Sequence, residues 1–189
     1  MDTYQYRARI NPHNDLITLA HYHVGIVKRK VEAGTYEGIR LDGMSAVIAM
    51  VFAVEAVINY TGAKAVTGWK ERDHFPAKIK ALETRLKFTF DAGVEPFRTV
   101  SLVKDARNAI AHGQPQIRNF EGEGHGLGEK LRPSWATVIE PEFVVPAFDE
   151  VMRFKDLLFG LAKIKPGSAL TSAMGIPKQT KSSGAIPPT

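Results

Sequence analysis

The chain has 189 residues, 44% of them hydrophobic, no cysteine and a formal net charge of +5. That length and apolar content suit one domain with one core, and the absence of cysteine removes disulfide frameworks, thiolate chemistry and cysteine-based zinc sites. The charge is a weaker signal for nucleic acid than it looks. Residues 165–189 hold Lys165, Lys178 and Lys181 and no acid, so the rest of the chain carries only +2. Positive charge, where it acts, must therefore be local. The first seven residues have no apolar run of the kind a secretion signal needs, and the longest uninterrupted apolar run, 46–54, is too short to span a bilayer. A soluble, cytoplasmic protein with no membrane contact is expected.

Helical spacing opens at residues 14–33, where Leu16, Leu19, Ala20, Val24, Val27 and Val31 recur on one face and Gly34 follows the end. Residues 43–60 are apolar on nearly every face, as in a helix buried centrally in a bundle, with Gly62 as its stop. Glu55 and Asn59 are the strongly polar side chains of that segment and share a face at i, i+4. Buried polar groups need partners, so they either bond a neighbouring helix or orient polar groups from it. A third helix starts at Pro76, a favourable first-turn residue, and carries Ile79, Leu82 and Leu86 through residue 90. A fourth runs over 96–112 and a last one over 141–161, with Val144, Phe148, Val151, Phe154 and Leu158 on its apolar stripe.

Two segments break the helical pattern. Residues 115–140 combine two short strand-like stretches, 116–120 and 135–139, with a glycine-alternating stretch between them, and predict a small β-hairpin inserted before the last helix. The glycines do not make a phosphate loop: no apolar strand leads in and no Lys-Ser/Thr follows. Residues 165–189 are rich in Pro, Gly, Ser and Thr without periodicity and read as a disordered tail. The expectation is an all-α, up-and-down bundle of four or five helices over residues 1–164.

Chemistry concentrates near the end of the fourth helix, in Arg107-Asn108-Ala109-Ile110-Ala111-His112-Gly113. Stepping about 100° per residue from Phe97 puts Leu102, Val103, Ala106, Ala109 and Ile110 in one apolar sector. Ser101, Lys104, Asp105, Asn108 and His112 fall opposite, with Arg107 at the edge, so Arg107, Asn108 and His112 can face one concavity or one partner surface. Arginine stays charged and can hold phosphoryl oxygens bidentately. Histidine, with an ordinary pKa of about 6.5, can take or give a proton. The plainer alternative is that His112 caps the helix end, before Gly113, and favours its dipole. No carboxylate cluster marks a metal nuclease, since Asp105 is the one acid on the motif face, and neither a metal nor a cofactor is expected.

Residues 103–113 resemble the signature of the HEPN superfamily (higher eukaryotes and prokaryotes nucleotide-binding): an Arg, then a polar residue that is often Asn, then a His a few positions later, near the end of a core helix. The helix order over about 14–161 is similar to the HEPN bundle. The resemblance implies metal-independent endoribonuclease activity, with attack by the RNA 2′-OH at a composite site on a homodimer axis. Arg107, His112 and Asn108 would be catalytic, and Asp105, Lys104, Glu55 and Asn59 would support them. RNA would be the substrate, in a toxin or defence role, with an antitoxin or other regulatory partner left open. In HEPN toxins controlled by nucleotidyltransferase antitoxins a tyrosine follows the His by two; here that position is Gln114, so that partner is not implied. The alternative is an inactive HEPN-like dimer that binds nucleotide, RNA or protein.

Overall fold

The computed structural model describes residues 4–113 and 131–177. Strand β1 (Tyr4–Arg9) leads into α1 (Pro12–Glu32), α2 (Ile39–Ala65), α3 (Phe75–Leu86) and α4 (Phe97–Ala111). After the interruption come a 3-10 helix (Ala136–Ile139), α5 (Pro141–Leu161), the single turn α6 (Pro166–Ala169) and β2 (Ser172–Pro177). The protein is an all-α bundle with, among the described residues, one two-stranded sheet. Pro12 and Pro141 stand in the first turns of α1 and α5, where a missing N–H costs nothing.

Helix α2 is the hub: it packs against α1, α3, α4, α5 and the 3-10 helix. Its Ala46, Val47, Met50, Val54, Val57 and Ile58 are buried against Val24 and Val27 of α1, Val100 and Val103 of α4, and Phe154 and Leu158 of α5. At 27 residues with mean hydropathy 2.0 it is long and apolar enough to cross a membrane, yet more than half of that stretch is buried inside the bundle. It is not buried all round, as the sequence suggested. Leu41, Phe52 and Glu55 are exposed and Ser45, Ile48 and Asn59 partly so, a stripe at i+3/i+4 spacing that faces solvent.

Gly62 does not stop α2, which runs on to Ala65. It lies where the Trp69 indole lies flat on the helix, a place no Cβ could occupy. Gly43 does the same for the Ile139 backbone carbonyl and so lets the 3-10 helix dock on α2. Helix α3 ends at Leu86 rather than near 90, because Lys87 turns into the left-handed region (φ 61°). The freed Phe88 and Phe90 join Phe97 and Phe154, with Phe90 4.9 Å from Phe97 and Phe97 6.1 Å edge-on to Phe154. This aromatic cluster fixes the start of α4 over α5.

Two expectations fail around the bundle. The second half of the predicted hairpin, 135–139, is the 3-10 helix, with Ala136, Val138 and Ile139 all buried; a strand would have turned Ile139 to the face opposite Ala136 and Val138. Its first half and glycine tip lie outside the described residues. The sheet forms instead from the chain's two ends: β1 and β2 pair antiparallel, Tyr4 opposite Pro177 and Arg9 opposite Ser172. The region after 164 is therefore not a free tail as far as Pro177. Buried Asn11 donates through Nδ2 to the carbonyls of Ala169 (3.0 Å) and Leu170 (2.9 Å). Asn14 donates to Ala169 (2.9 Å) and the Tyr60 hydroxyl to Ser168 (2.7 Å).

His13 lies at this junction, 2% exposed, with its ring 4.7 Å from Tyr60 and 5.7 Å edge-on to Phe159. Burial, then the positive charge of Lys155, push its pKa below 6.5, only partly offset by the Ala169 carbonyl. The folded state thus resists a proton that the unfolded chain accepts. Stability is retained above about pH 6.5 and declines as pH falls through that value, because there the unfolded chain binds more protons. Melting temperatures at pH 7.5 and 5.5 should show this loss in the wild type and a smaller one in His13→Phe, which keeps an aromatic ring; an equal loss in both would assign the pH effect elsewhere.

Candidate functional site

The motif helix buries a different sector from the one drawn on the sequence. Thr99, Val100, Val103 and Ala106 are its buried residues, while Leu102 is exposed and Ala109 and Ile110 only half-buried. The buried face is rotated toward Arg107, because α4 packs on both α2 and α5. The rotation draws Arg107 inward to the wall of a cleft.

That cleft, about 380 Å³, opens between α2, the start of α3 and α4. Val51, Val54, Val100 and Val103 form its apolar floor, and Arg107, Asn108 and Lys104 line it from α4. Glu55 lines it from α2, Lys78 from α3, and Arg72, Asp73 and His74 from the loop entering α3. Four cationic side chains thus face two carboxylates.

The charges are not equally committed. Lys78, with its side chain 2% exposed, donates to Glu55 Oε1 at 3.2 Å. Glu55 is half exposed, so the pair is open to water at one end. Of the two roles read for Glu55 in the sequence, bonding a neighbouring helix is the one seen. Lys104 pairs with Asp105 at 2.7 Å and lies 5.4 Å over the Phe75 ring. Among the described residues no carboxylate pairs with Arg107. Its Nη1 donates to Asn108 Oδ1 at 3.1 Å, and its guanidinium lies 5.6 Å over the exposed ring of Phe52. The outer donors of that guanidinium remain available to an anion.

Not every motif residue shares this cleft. His112 is exposed and does not line it. It is the residue after α4 (φ −110°, ψ 19°), and its backbone N–H closes the last turn on Asn108 O at 2.9 Å. Five residues along a helix turn the side chain by roughly 140° and carry it about 7.5 Å, so Arg107 and His112 face different ways from α4. The expectation that Arg107, Asn108 and His112 share one concavity within a chain is thus corrected: Arg107 and Asn108 do, His112 does not. Asp105 reaches the site only through Lys104. Asn59 stands on the far side of Glu55, in a neighbouring pocket of about 500 Å³ that Glu55 and Phe52 also border, and its Oδ1 is buried without a hydrogen-bond partner among the described residues.

Sequence reasoning missed His74 and Arg72. No spacing rule joins them to residue 107; only the docking of both α3 and α4 on α2 does. Among the described residues no three His, Cys, Asp or Glu side chains group closely enough to hold a metal ion. Comparison with protein-family models, with curated proteins and with solved structures finds no match.

Proposed function

We propose that the protein is a metal-independent endoribonuclease of HEPN type. The observation that carries this reading is Arg107, half-buried at the mouth of a net-positive cleft, with no carboxylate partner among the described residues and with Asn108 bonded beside it. RNA brings its own nucleophile. As the 2′-OH attacks, charge accumulates on the phosphoryl oxygens, and a fixed guanidinium stabilises that charge without reorganising. Phe52, exposed next to Arg107, offers a face on which a flanking base can stack.

His112 is exposed at the end of α4 and outside its own cleft, so it is accessible to a second copy. This supports a two-fold homodimer in which each chain presents its histidine toward the other's arginine, an isologous arrangement. A toxin or defence role and a cytoplasmic location belong to the same reading. The alternative, a dimeric module that binds nucleotide, RNA or protein without cutting, draws on the same observation that His112 lies apart from Arg107. Incubating the purified protein with total RNA and with tRNA, with and without EDTA, separates the two. Cleavage that survives the chelator supports the ribonuclease; retention of intact RNA at all protein concentrations supports the binding module.

A further inference from the structure

Within one chain the cleft holds a histidine, and it is not the one in the motif. His74 precedes α3 in extended conformation (φ −64°, ψ 151°), and its side chain makes no capping hydrogen bond to that helix. It is exposed, lines the cleft together with Arg107 and Asn108, and among the described residues has no side-chain partner. Lys78, one turn further along α3, anchors the same wall by its bond to Glu55. The result is an imidazole and a guanidinium lining one cleft of about 380 Å³ with excess positive charge, His74 from the segment entering α3 and Arg107 from α4. Binding sites for small molecules run from about 300 to 1,000 Å³.

We propose that His74 and Arg107 hold the same phosphate group, in the cleft of a single chain. Resting on the ribonuclease reading, His74 is then a catalytic residue. As the O2′–P bond forms, one histidine accepts the 2′-OH proton; as the P–O5′ bond breaks, a protonated histidine delivers one to O5′. His74 and His112 divide these two transfers, and no metal, oxidant or cofactor enters the balance. The cleft supplies the phosphate ligand and one proton-transfer group, and a second copy supplies the other. Arg72, close to His74 in sequence and without a carboxylate partner among the described residues, adds to the positive lining of the cleft.

The test follows the imidazole resonances of the full-length protein by NMR during titration with inorganic phosphate and with a 2′,3′-cyclic nucleotide. The His74 resonances are expected to move with both ligands and to stop moving in Arg107→Ala, while those of His112 move less. His74 resonances that ignore both ligands would overturn the inference, whether or not the protein cuts RNA. Cleavage is read separately. His74→Gln should lower kcat by about 100-fold or more, the scale of a lost proton-transfer group, with an unchanged melting temperature. Full activity in that variant would remove the catalytic role. A wild type that cuts no RNA would reject the ribonuclease reading, and the phosphate titration would still decide whether the two residues share a ligand.

Discussion

Arg107→Ala is expected to lower RNA cleavage by about 10²- to 10³-fold, the scale seen when one preorganised donor to developing negative charge is removed. The loss should appear in kcat more than in KM, because Lys78, Lys104 and Arg72 remain in the cleft to attract the phosphate backbone. The fold should survive. Arg107 gives up its contact with Phe52 and its bond to Asn108, and an exposed cation–π contact is worth about 0.5–1 kcal/mol, or roughly 1–4 °C in a chain of this size. His112→Ala should be equally inactive and nearly as stable as the wild type, since surface changes usually stay within about 0.5 kcal/mol. Circular-dichroism melts alongside single-turnover cleavage check both halves. Unfolded variants would make Arg107 a structural residue, and variants that cut normally would remove it from the site.

Deleting residues 166–189 should destabilise the bundle, against the free tail that the sequence suggested. The deletion removes α6 and β2, and with them the acceptors of Asn11, Asn14 and Tyr60 and the partner of β1. It also uncovers His13, which the segment around Ala169 helps enclose. Each lost hydrogen bond is worth about 0.5–1.5 kcal/mol; allowing for their partial exposure, the total is on the order of 3 kcal/mol. That corresponds to a fall of roughly 6–12 °C in melting temperature. Deleting only 178–189 leaves those contacts in place and should change the melting temperature little. Equal melting temperatures for the full chain and the longer truncation would show that the two ends do not pair.

The helices were legible because their signals are local. The apolar spacing of α1 and α5 and the first-turn Pro76 of α3 gave those helices to within a few residues. What failed depended on partners far along the chain. The run 135–139 is apolar enough for a strand, but Ala136, Val138 and Ile139 are all buried because Gly43 lets the Ile139 carbonyl lie on α2. Strand β1 closes on a segment more than 160 residues away whose Ser, Ala, Gly and Pro carry little strand character. Gly62 reads as a stop, yet here it serves the indole of Trp69.

The candidate site divides the same way. Arg107 and Asn108 were found because they are neighbours on one helix, and Lys104 lies one turn before them. Placing His112 with Arg107 asked one cleft to span the roughly 140° that five residues turn around a helix, a phase kept through the bond from His112 N–H to Asn108 O. His74 needed α3 and α4 to dock side by side on α2, which no periodicity encodes.

The central claim, phosphodiester cleavage through the RNA 2′-OH at Arg107, is tested most directly by the chemistry of the cut ends. RNA cleaved by the purified protein in excess EDTA should be resolved by mass spectrometry, with Arg107→Ala as the control. Fragments ending in 2′,3′-cyclic phosphate or 3′-phosphate and beginning with 5′-OH, absent from the Arg107→Ala reaction, are the expected result. Fragments ending in 3′-OH and beginning with 5′-phosphate, or the same products from Arg107→Ala, would contradict it.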